Sequence, residues 1–282
     1  MNRIFVLLFF VIFTSMFSND LDHLLTEFSQ ATDLSSKTKN ENSGHLIIYT
    51  RNDLDKMQAK SLKDVLKSTV AFTYEESRFN IPDMYNLEQT PYHSNGLRLY
   101  IDNQEMSSAI YGSGMALFGD IPLGFVDHVE LYLGTPSYKF STETAFLIVK
   151  LYSKNAQRDN GGVISTQVAD DGYNQTFINY IDVLDDIEYQ IYTNYNNNKQ
   201  DSIKHKSNSL SKNKKTRHLF AKVKKDDLKL NLHVLENEND GFIHRSLDGT
   251  PEDSSMKESF YDLNIEKSFY DKRVNFYIDH AR

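Results

Sequence analysis

The side chains that most often carry out chemistry are dispersed in this sequence. Nine histidines occur without the spacing of a metal site, and no cysteine is available as a nucleophile or a thiolate ligand. The carboxylate pairs Asp170-Asp171, Asp185-Asp186 and Asp226-Asp227 lie in turn sequences, where aspartate bonds to the nearby backbone. No G-x-S-x-G, Walker or G-x-G-x-x-G motif is present. The sequence therefore predicts a protein that is not an enzyme and has no catalytic residues, metal site or cofactor.

The overall charge excludes one class of partner. The 282 residues include 31 Lys and Arg against 39 Asp and Glu, which gives a net charge of −8. Proteins that bind nucleic acid normally present a basic surface. We therefore predict that nucleic acid is not a partner.

The N-terminus has the pattern of an export signal. Arg3 precedes the uncharged apolar run Ile4–Phe13, and polar residues follow. This run is shorter than the roughly 20 apolar residues that a membrane-spanning helix needs. We predict a signal peptide at 1–18, cleaved near Ser18; the alternative is an uncleaved membrane anchor. Residues 19–44 are mostly polar and predict a tether.

Residues 45–155 predict an α+β domain. Apolar residues at helical spacing indicate one helix at 50–58, capped by Thr50 or Asn52, and a second at 62–67, capped by Ser61. Alternation, apolar runs and turn residues predict the other elements. These are strands at 46–49, 97–102, 126–133 and 146–152, a turn at Asn103-Gln104, a loop with at most a short strand at 72–94, and a flexible glycine-containing loop at 111–114.

Residues 156–282 read almost wholly as strands with one apolar and one polar face. Leu230 and Leu232, for example, alternate with Asn231 and His233. This period of two is expected where lipid lies on one side of a sheet and water on the other. Seven strands are predicted, at 163–169, 173–183, 187–196, 215–224, 228–236, 257–269 and 273–281.

The connections between these strands favour a membrane barrel. Tight turns alternate with long hydrophilic connections at 197–214 and 237–256, as in barrels with short turns at one end and long loops at the other. We therefore predict antiparallel transmembrane β-barrel strands after the α+β domain. Seven strands cannot close around a domain of this size, so the barrel is expected to be incomplete. A soluble β-sandwich is the alternative.

A signature near the end of the α+β segment carries a family resemblance. The stretch 121–137 (IPLGFVDHVELYLGTPS) contains an Ile-Pro pair, Glu130 after an apolar residue, and a Gly-x-x-Ser ending. Phe146–Lys154 follows as a largely apolar strand. With the order of elements before it, this pattern resembles the plug domain of TonB-dependent outer-membrane receptors and the strand by which the plug joins its barrel.

The resemblance implies a domain plan and a function. It implies a tether with a TonB-contact segment at 19–44, a plug at 45–155 and the N-terminal part of a 22-stranded barrel at 156–282. Such a receptor takes up a scarce nutrient, most often a siderophore or other metal chelate, and the plug gates the barrel. Its expected partners are the chelate, outer-membrane lipid and the periplasmic TonB-ExbB-ExbD complex, and its location is the outer membrane of a Gram-negative bacterium.

Ligand contacts are expected at the apex of the plug. Aromatic, arginine and polar side chains there give contact area and charge-assisted hydrogen bonds to an anionic chelate. The resemblance places seven candidates in the two long plug loops, although the tyrosines could equally fill the barrel interior. They are Tyr74, Arg78, Tyr85, Tyr92, His93, Gln104 and Tyr111.

Two other functions and one basic segment stay open at this stage. An outer-membrane adhesin or structural barrel with a static plug has the same strand pattern, and a secreted soluble β-protein with enzymatic activity is a third possibility. The basic run Lys204–Arg217 suits phosphate contacts, attraction of anionic chelates or lipopolysaccharide to an outer loop, or a simply solvated loop.

Overall fold

The fold is described here from a computed structural model. The predicted signal peptide and tether lie outside the described residues. In the part described, no helix has the length and apolar character needed to cross a membrane. The structure describes residues 45–69, 73–76, 80–85, 96–102, 104–106, 114–133, 145–169, 172–206, 208–241, 244–245, 251–269 and 274–281.

Two short helices begin at the predicted caps. Helix α1 (Arg51–Lys56) follows Thr50, which has extended backbone angles, and the Thr50 backbone N–H and hydroxyl both donate to an Asp53 carboxylate oxygen at 3.0 and 2.7 Å. Helix α2 (Leu62–Lys67) has the same capping box between its cap serine and the aspartate three residues on. These contacts satisfy backbone donors that a helix start leaves unpaired. Both predicted helices are confirmed.

A five-stranded mixed sheet forms the first half of the described chain. Its spatial order is β1-β6-β7-β4-β5, with β4 and β7 parallel and the other neighbours antiparallel. Every residue of β7 is buried, which explains its nearly continuous apolar sequence. The strands are β1 (His45–Tyr49), β4 (Leu97–Ile101), β5 (Gln104–Met106), β6 (Val126–Leu133) and β7 (Leu147–Ser153).

Three local predictions for this half need correction. Gln104 begins strand β5 instead of closing a turn, because Asp102 takes a left-handed φ of 53° and reverses the chain before it. The 72–94 segment contains a two-stranded hairpin, β2 (Thr73–Glu76) with β3 (Pro82–Tyr85). Gly114 begins helix α3 (Gly114–Phe118) and is buried, so it is not part of a flexible loop.

Close packing is the reason for glycine at position 114. A Cβ atom placed there would lie 2.7 Å from the Leu99 Cβ and 2.7 Å from the Met106 carbonyl oxygen. Both neighbours are fixed in strands of the five-stranded sheet, so they cannot move aside cheaply. The glycine therefore lets α3 approach β4 and β5.

We expect Gly114→Ala to lower the free energy of unfolding by about 1–3 kcal/mol, the usual cost of overpacking. Chemical denaturation of the full chain measures this. Gly162→Ala is the matched control, because its added Cβ meets only one edge of the Tyr180 side-chain ring, at 3.2 Å from Cδ2. Equal stability of the Gly114 variant and the unchanged protein would contradict the packing role.

The second half forms one antiparallel sheet of seven strands, called the wall below. Neighbours in the wall follow one another along the chain, and each predicted strand is present with ends that differ by a few residues. Two small hairpins lie in the long connections: β11 (Ile203–His205) with β12 (Asn208–Leu210), and β15 (His244–Arg245) with β16 (Pro251–Glu252). The wall strands are β8 (Gly161–Val168), β9 (Tyr173–Leu184), β10 (Ile187–Asn198), β13 (Lys214–Lys225), β14 (Leu228–Asp240), β17 (Ser255–Phe269) and β18 (Val274–Ala281).

The two ends of the wall differ in their connections. At the turn end, two-residue turns join β9 to β10 and β13 to β14. Asp185, Asp186 and Asp226 in these turns have positive φ angles of 46°, 66° and 50°, the backbone that tight hairpins require and aspartate tolerates. At the loop end, the long connections join β10 to β13 and β14 to β17. The predicted sorting of short and long connections is confirmed at these positions.

The faces of the wall have the reverse polarity of a soluble sheet. The outer face carries exposed apolar side chains, including Ile191, Leu219 and Leu263, whereas polar side chains are buried on the inner face. The buried polar or charged residues of the inner face are Gln175, Asn179, Gln190, Asn194, Lys214, Thr216, His218, Asn231, His233, Asn237, Asn239 and Asp262. Apolar outside and polar inside is the arrangement expected of a wall that contacts lipid.

Aromatic side chains join the five-stranded half to the inner face of the wall. The Phe125 ring lies 4.8 Å from the Phe220 ring and 5.4 Å from the Tyr192 ring, measured between centroids. Nearer the loop end, Phe118 meets Phe260 edge to face at 5.0 Å. All five belong to one buried cluster with the apolar side of the sheet. The core therefore runs continuously from the five-stranded sheet to the wall.

Candidate functional site

A cluster of five charges joins the two halves at the loop end. Asp120, after α3, accepts from Lys63 of α2 at 2.6 Å and from Lys214 of β13 at 3.0 Å. Glu76 of β2 accepts from Lys214 at 3.3 Å and from Lys212 at 3.1 Å. Two carboxylates of the first half thus bind two lysines at the wall. Lys63 of the first half lies near both carboxylates.

The lysines keep both carboxylates ionised. Burial alone would raise the pKa of Asp120, but the charges of Lys214 and Lys63 outweigh it and lower the pKa to about 2. Burial acts in the same direction on Glu76, and Lys214, Lys63 and Lys212 lower its pKa to about 2. A lowered pKa in the folded state means that the ionised form stabilises the fold.

We expect this cluster to make the free energy of unfolding decrease at acidic pH. The ordinary pKa values of Asp120 and Glu76 are 3.8 and 4.5, so their contribution is complete above about pH 5. It falls as the pH passes down toward 2, on the order of 2 kcal/mol for each carboxylate. Urea unfolding at pH 7, 5 and 3 measures the loss, which should be smaller in Asp120→Asn. A variant and parent with the same pH dependence would contradict this role.

A second polar contact lies toward the turn end. The Lys222 ammonium of β13 donates to Asp102 at 3.0 Å and to the Ser153 hydroxyl at 2.6 Å, and the Ser153 backbone N–H donates to Asp102 at 2.9 Å. Burial would raise the pKa of Asp102, but Lys222 and the hydrogen bonds of Ser153 lower it to about 2. Carboxylates of the first half therefore bind wall lysines at both ends of the interface.

Two of the predicted ligand residues have described side chains, and these differ in burial and in contacts. Tyr74 of β2 is half-buried at the loop end; its hydroxyl donates to Glu76 at 3.0 Å, and the Lys67 ammonium lies 4.4 Å from its ring centre. Burial raises its pKa. Gln104 is buried, and its side-chain amide donates to Asp262 of the wall at 2.7 Å.

The positions of these two side chains can be compared with the ligand contacts that were predicted at the apex of the α+β domain. Tyr74 is next to the charge cluster and the long connections, as expected for a ligand contact. Gln104 lies at mid-wall and links the two halves, so its position favours a structural role. Tyr85 ends β3 and its side chain is not described. The other four candidates, Arg78, Tyr92, His93 and Tyr111, lie outside the described residues. Ligand contact by all seven stays a prediction.

Sequence reasoning missed the residues that hold the interface. Lys214 and Lys222 belong to a basic strand and read as solvated, yet both face inward and bind carboxylates. The sequence did contain one indication of this. Both lysines lie an even number of positions from His218 in the same strand, so they face the same side as this polar inner-face residue. Their partners could not be paired from sequence, because Asp120 and Asp102 are about 90 and 120 residues away from them.

A small polar cavity lies beside the charge cluster. It has a volume of about 170 Å³ and lies between the first turn of α2, the Asp120–Pro122 turn and wall strands β9, β10 and β13 at the loop end. Within the described ranges, no three His, Asp or Glu side chains are grouped closely enough to hold a metal ion. The arrangement can bind polar groups.

Three solved structures illustrate the proteins whose fold is similar to this arrangement. The ferripyoverdine receptor of Pseudomonas aeruginosa bound to ferripyoverdine is 14% identical, with a TM-score of 0.58 over 81% of this chain. The FpvAI–pyocin S2 complex is 14% identical, with a TM-score of 0.62 over 85% of this chain. The siderophore receptor PirA of Acinetobacter baumannii is 13% identical, with a TM-score of 0.56 over 83% of this chain. The chain has the fold of these siderophore receptors. The predicted resemblance to TonB-dependent receptors is confirmed at the level of the fold.

The receptor fold is matched over only part of its length. This chain spans 34%, 32% and 38% of the FpvAI, ferripyoverdine-receptor and PirA chains, respectively. No protein-family model matches the sequence, and no curated protein matches it in sequence. The receptor fold is therefore established by three-dimensional similarity, at sequence identities too low to carry over a ligand.

Proposed function

We propose that this chain is the N-terminal part of a TonB-dependent outer-membrane receptor that takes up a siderophore or other metal chelate. Residues 45–155 would be the plug and 156–282 the first strands of the barrel, in the outer membrane of a Gram-negative bacterium after removal of the signal peptide 1–18. The receptors of similar fold support this, since their names state ferripyoverdine or siderophore binding. The protein would catalyse no covalent reaction.

One observation carries the proposal: the wall turns its apolar face outward and its polar face toward the five-stranded half. A soluble β-sandwich would bury the apolar faces of its sheets. Here exposed Ile191 and Leu263 lie on the opposite face from buried Asn194 and Asp262. Lipid is the surrounding medium that suits the outer face, whereas the inner face packs against the five-stranded half through both polar and aromatic contacts.

The proposed transport step follows from the contacts between plug and wall. The two carboxylate–lysine contacts at Asp120 and Asp102 hold the plug in place at both ends of the interface. Opening a path for a chelate then requires work on these contacts. The TonB-ExbB-ExbD complex would supply it through the segment 19–44, which precedes edge strand β1.

Uptake of a labelled ferric chelate tests this function. Cells with the intact gene should accumulate one or more ferric siderophores of a hydroxamate and catecholate panel, and the deletion strain should not. Collapse of the proton-motive force should abolish the difference. Equal accumulation in both strains would overturn the proposal. Surface binding of the chelate that is insensitive to the proton-motive force would favour the alternative, a static plug in an adhesin or structural barrel.

A further inference from the structure

The charged groups that line the loop-end cavity already have partners. Asp120 is held by two lysines, as described above. An Asp64 carboxylate oxygen accepts from the backbone N–H of Lys60 at 3.0 Å and from the backbone N–H and hydroxyl of Ser61, both at 2.9 Å. The Lys60 ammonium lies over the Tyr173 ring, 4.5 Å from its centre. Each of these charged groups thus already has a partner inside the protein, for which an incoming anion would have to compete.

The neutral wall side of the cavity is different. Asn196 and Asn198 of β10 line it, and their carboxamide oxygens are buried without a hydrogen-bond partner among the described residues. Asn194, the next inward-facing residue of the strand, is 3% exposed. Its carboxamide oxygen is also buried without a hydrogen-bond partner among the described residues. Side chains at every second position share a face. A row of three asparagines therefore runs from the cavity toward the interior.

The chemistry of this row selects one class of ligand. A buried carboxamide without a partner is costly, so a group that fills the cavity must hydrogen-bond to it. Each carboxamide offers an acceptor oxygen and a donor NH₂ at nearly the same place. A hydroxyl can donate or accept, so it pairs with either atom. An anion could pair with the carboxamide NH₂ groups, but its charge would be repelled by the nearby Asp120 carboxylate, and an apolar group would leave the row unpaired.

We propose that the loop-end cavity binds a neutral, hydroxyl-rich group such as a single saccharide unit, with Asn196 and Asn198 as its ligands and Asn194 next inward. This site goes beyond the uptake of a metal chelate and does not depend on it. Its position between α2 and the wall is beside the charge cluster, so an occupied cavity would be in contact with the elements that hold the plug.

Saturation-transfer difference NMR on the full chain in detergent micelles tests the site. The probes are glucose, galactose and mannose at millimolar concentration, with inorganic phosphate as the anionic comparison, followed by phosphorus NMR. Saturation should pass to at least one sugar. Asn196→Ala with Asn198→Ala should weaken that binding about tenfold or more, since two hydrogen bonds are lost. Asn197→Ala is the matched control, because the Asn197 carboxamide oxygen is likewise buried without a hydrogen-bond partner among the described residues but lies on the other face of the strand and does not line the cavity.

Each alternative result overturns the proposal. One such result is that no saturation passes to any of the three sugars. The others are that the Asn197 variant loses as much sugar binding as the double variant, or that the protein binds phosphate only. If the double variant does not fold, titration of the unchanged protein decides the question. The side-chain amide resonances of Asn196 and Asn198 should then shift with added sugar while that of Asn197 does not. Failure here leaves chelate uptake untouched, and absence of chelate uptake leaves this binding test untouched.

Discussion

Replacing Leu232 with arginine is expected to destabilise the wall by about 2–4 kcal/mol in a lipid bilayer. Leu232 lies on the outer face of β14, between Ala221 and Leu263 of the neighbouring strands. In a membrane-spanning wall this position lies near the bilayer midplane, where an arginine on the lipid face of a barrel costs that much. Urea unfolding of the chain in phospholipid vesicles measures the difference in the free energy of unfolding.

A control on the same face separates the effect of lipid from that of charge. Ser259 of β17 is on the outer face nearer the loop end and pairs with Glu236. Ser259→Arg should cost about 0–1 kcal/mol, as expected near the membrane interface. If both arginines are tolerated equally, the outer face contacts water and the membrane account of the wall is wrong.

Replacing Asp120 with asparagine is expected to lower the free energy of unfolding by about 2–4 kcal/mol at pH 7. The Asp120 and Lys214 side chains are only 11% and 9% exposed. Removing one partner of a buried ion pair leaves the other charge uncompensated, which typically costs about 3–5 kcal/mol. The remaining carboxylate, Glu76, still faces Lys214 and Lys63, so the expected cost is somewhat below that range. Denaturant unfolding measures it.

The matched control is an aspartate in an exposed ion pair. Asp55 accepts from Arg51 at 2.7 Å one helical turn away, but its side chain is 65% exposed. Asp55→Asn should therefore change stability by less than about 1 kcal/mol. Equal effects of the two substitutions would show that the cluster at Asp120 does not hold the five-stranded half to the wall.

The wall was predictable because its signal is local. Alternation of apolar and polar residues has the period of a strand, and Asp-Asp dipeptides mark its turns. The face of each side chain followed from the same pattern: Leu232 lies outward and His233 is buried, as the alternation indicates. A meander of neighbouring strands then needs no long-range pairing to be inferred.

The parts that could not be predicted depend on contacts between distant segments. Gly114 reads as a flexible residue in isolation, and only its approach to Leu99 and Met106 shows that it is a packing site. The Gln104 position likewise depends on Asp102 reversing the chain early. Local propensity is a weak guide where tertiary packing decides the backbone.

The site was harder to predict than the fold for the same reason. The expected ligand residues were selected by type and by their place in loops, and of the two with described side chains only Tyr74 lies at the loop end. The charge cluster is formed by side chains up to 138 residues apart, Glu76 and Lys214. Each of these residues alone reads as a solvated charge, and their pairing requires the five-stranded half to lie against the wall.

The absence of cysteine from the sequence permits the most direct test of the membrane wall. Single cysteines at positions 230 to 235 of β14 can each carry a spin label in the bilayer-inserted chain. We expect oxygen, which concentrates in lipid, to relax the labels at Leu230, Leu232 and Val234. The labels at Asn231, His233 and Leu235 should be shielded from it. Water-soluble nickel chelate should reach none of the first three. Uniform oxygen access, or nickel access at the three outer positions, would contradict a lipid-facing wall.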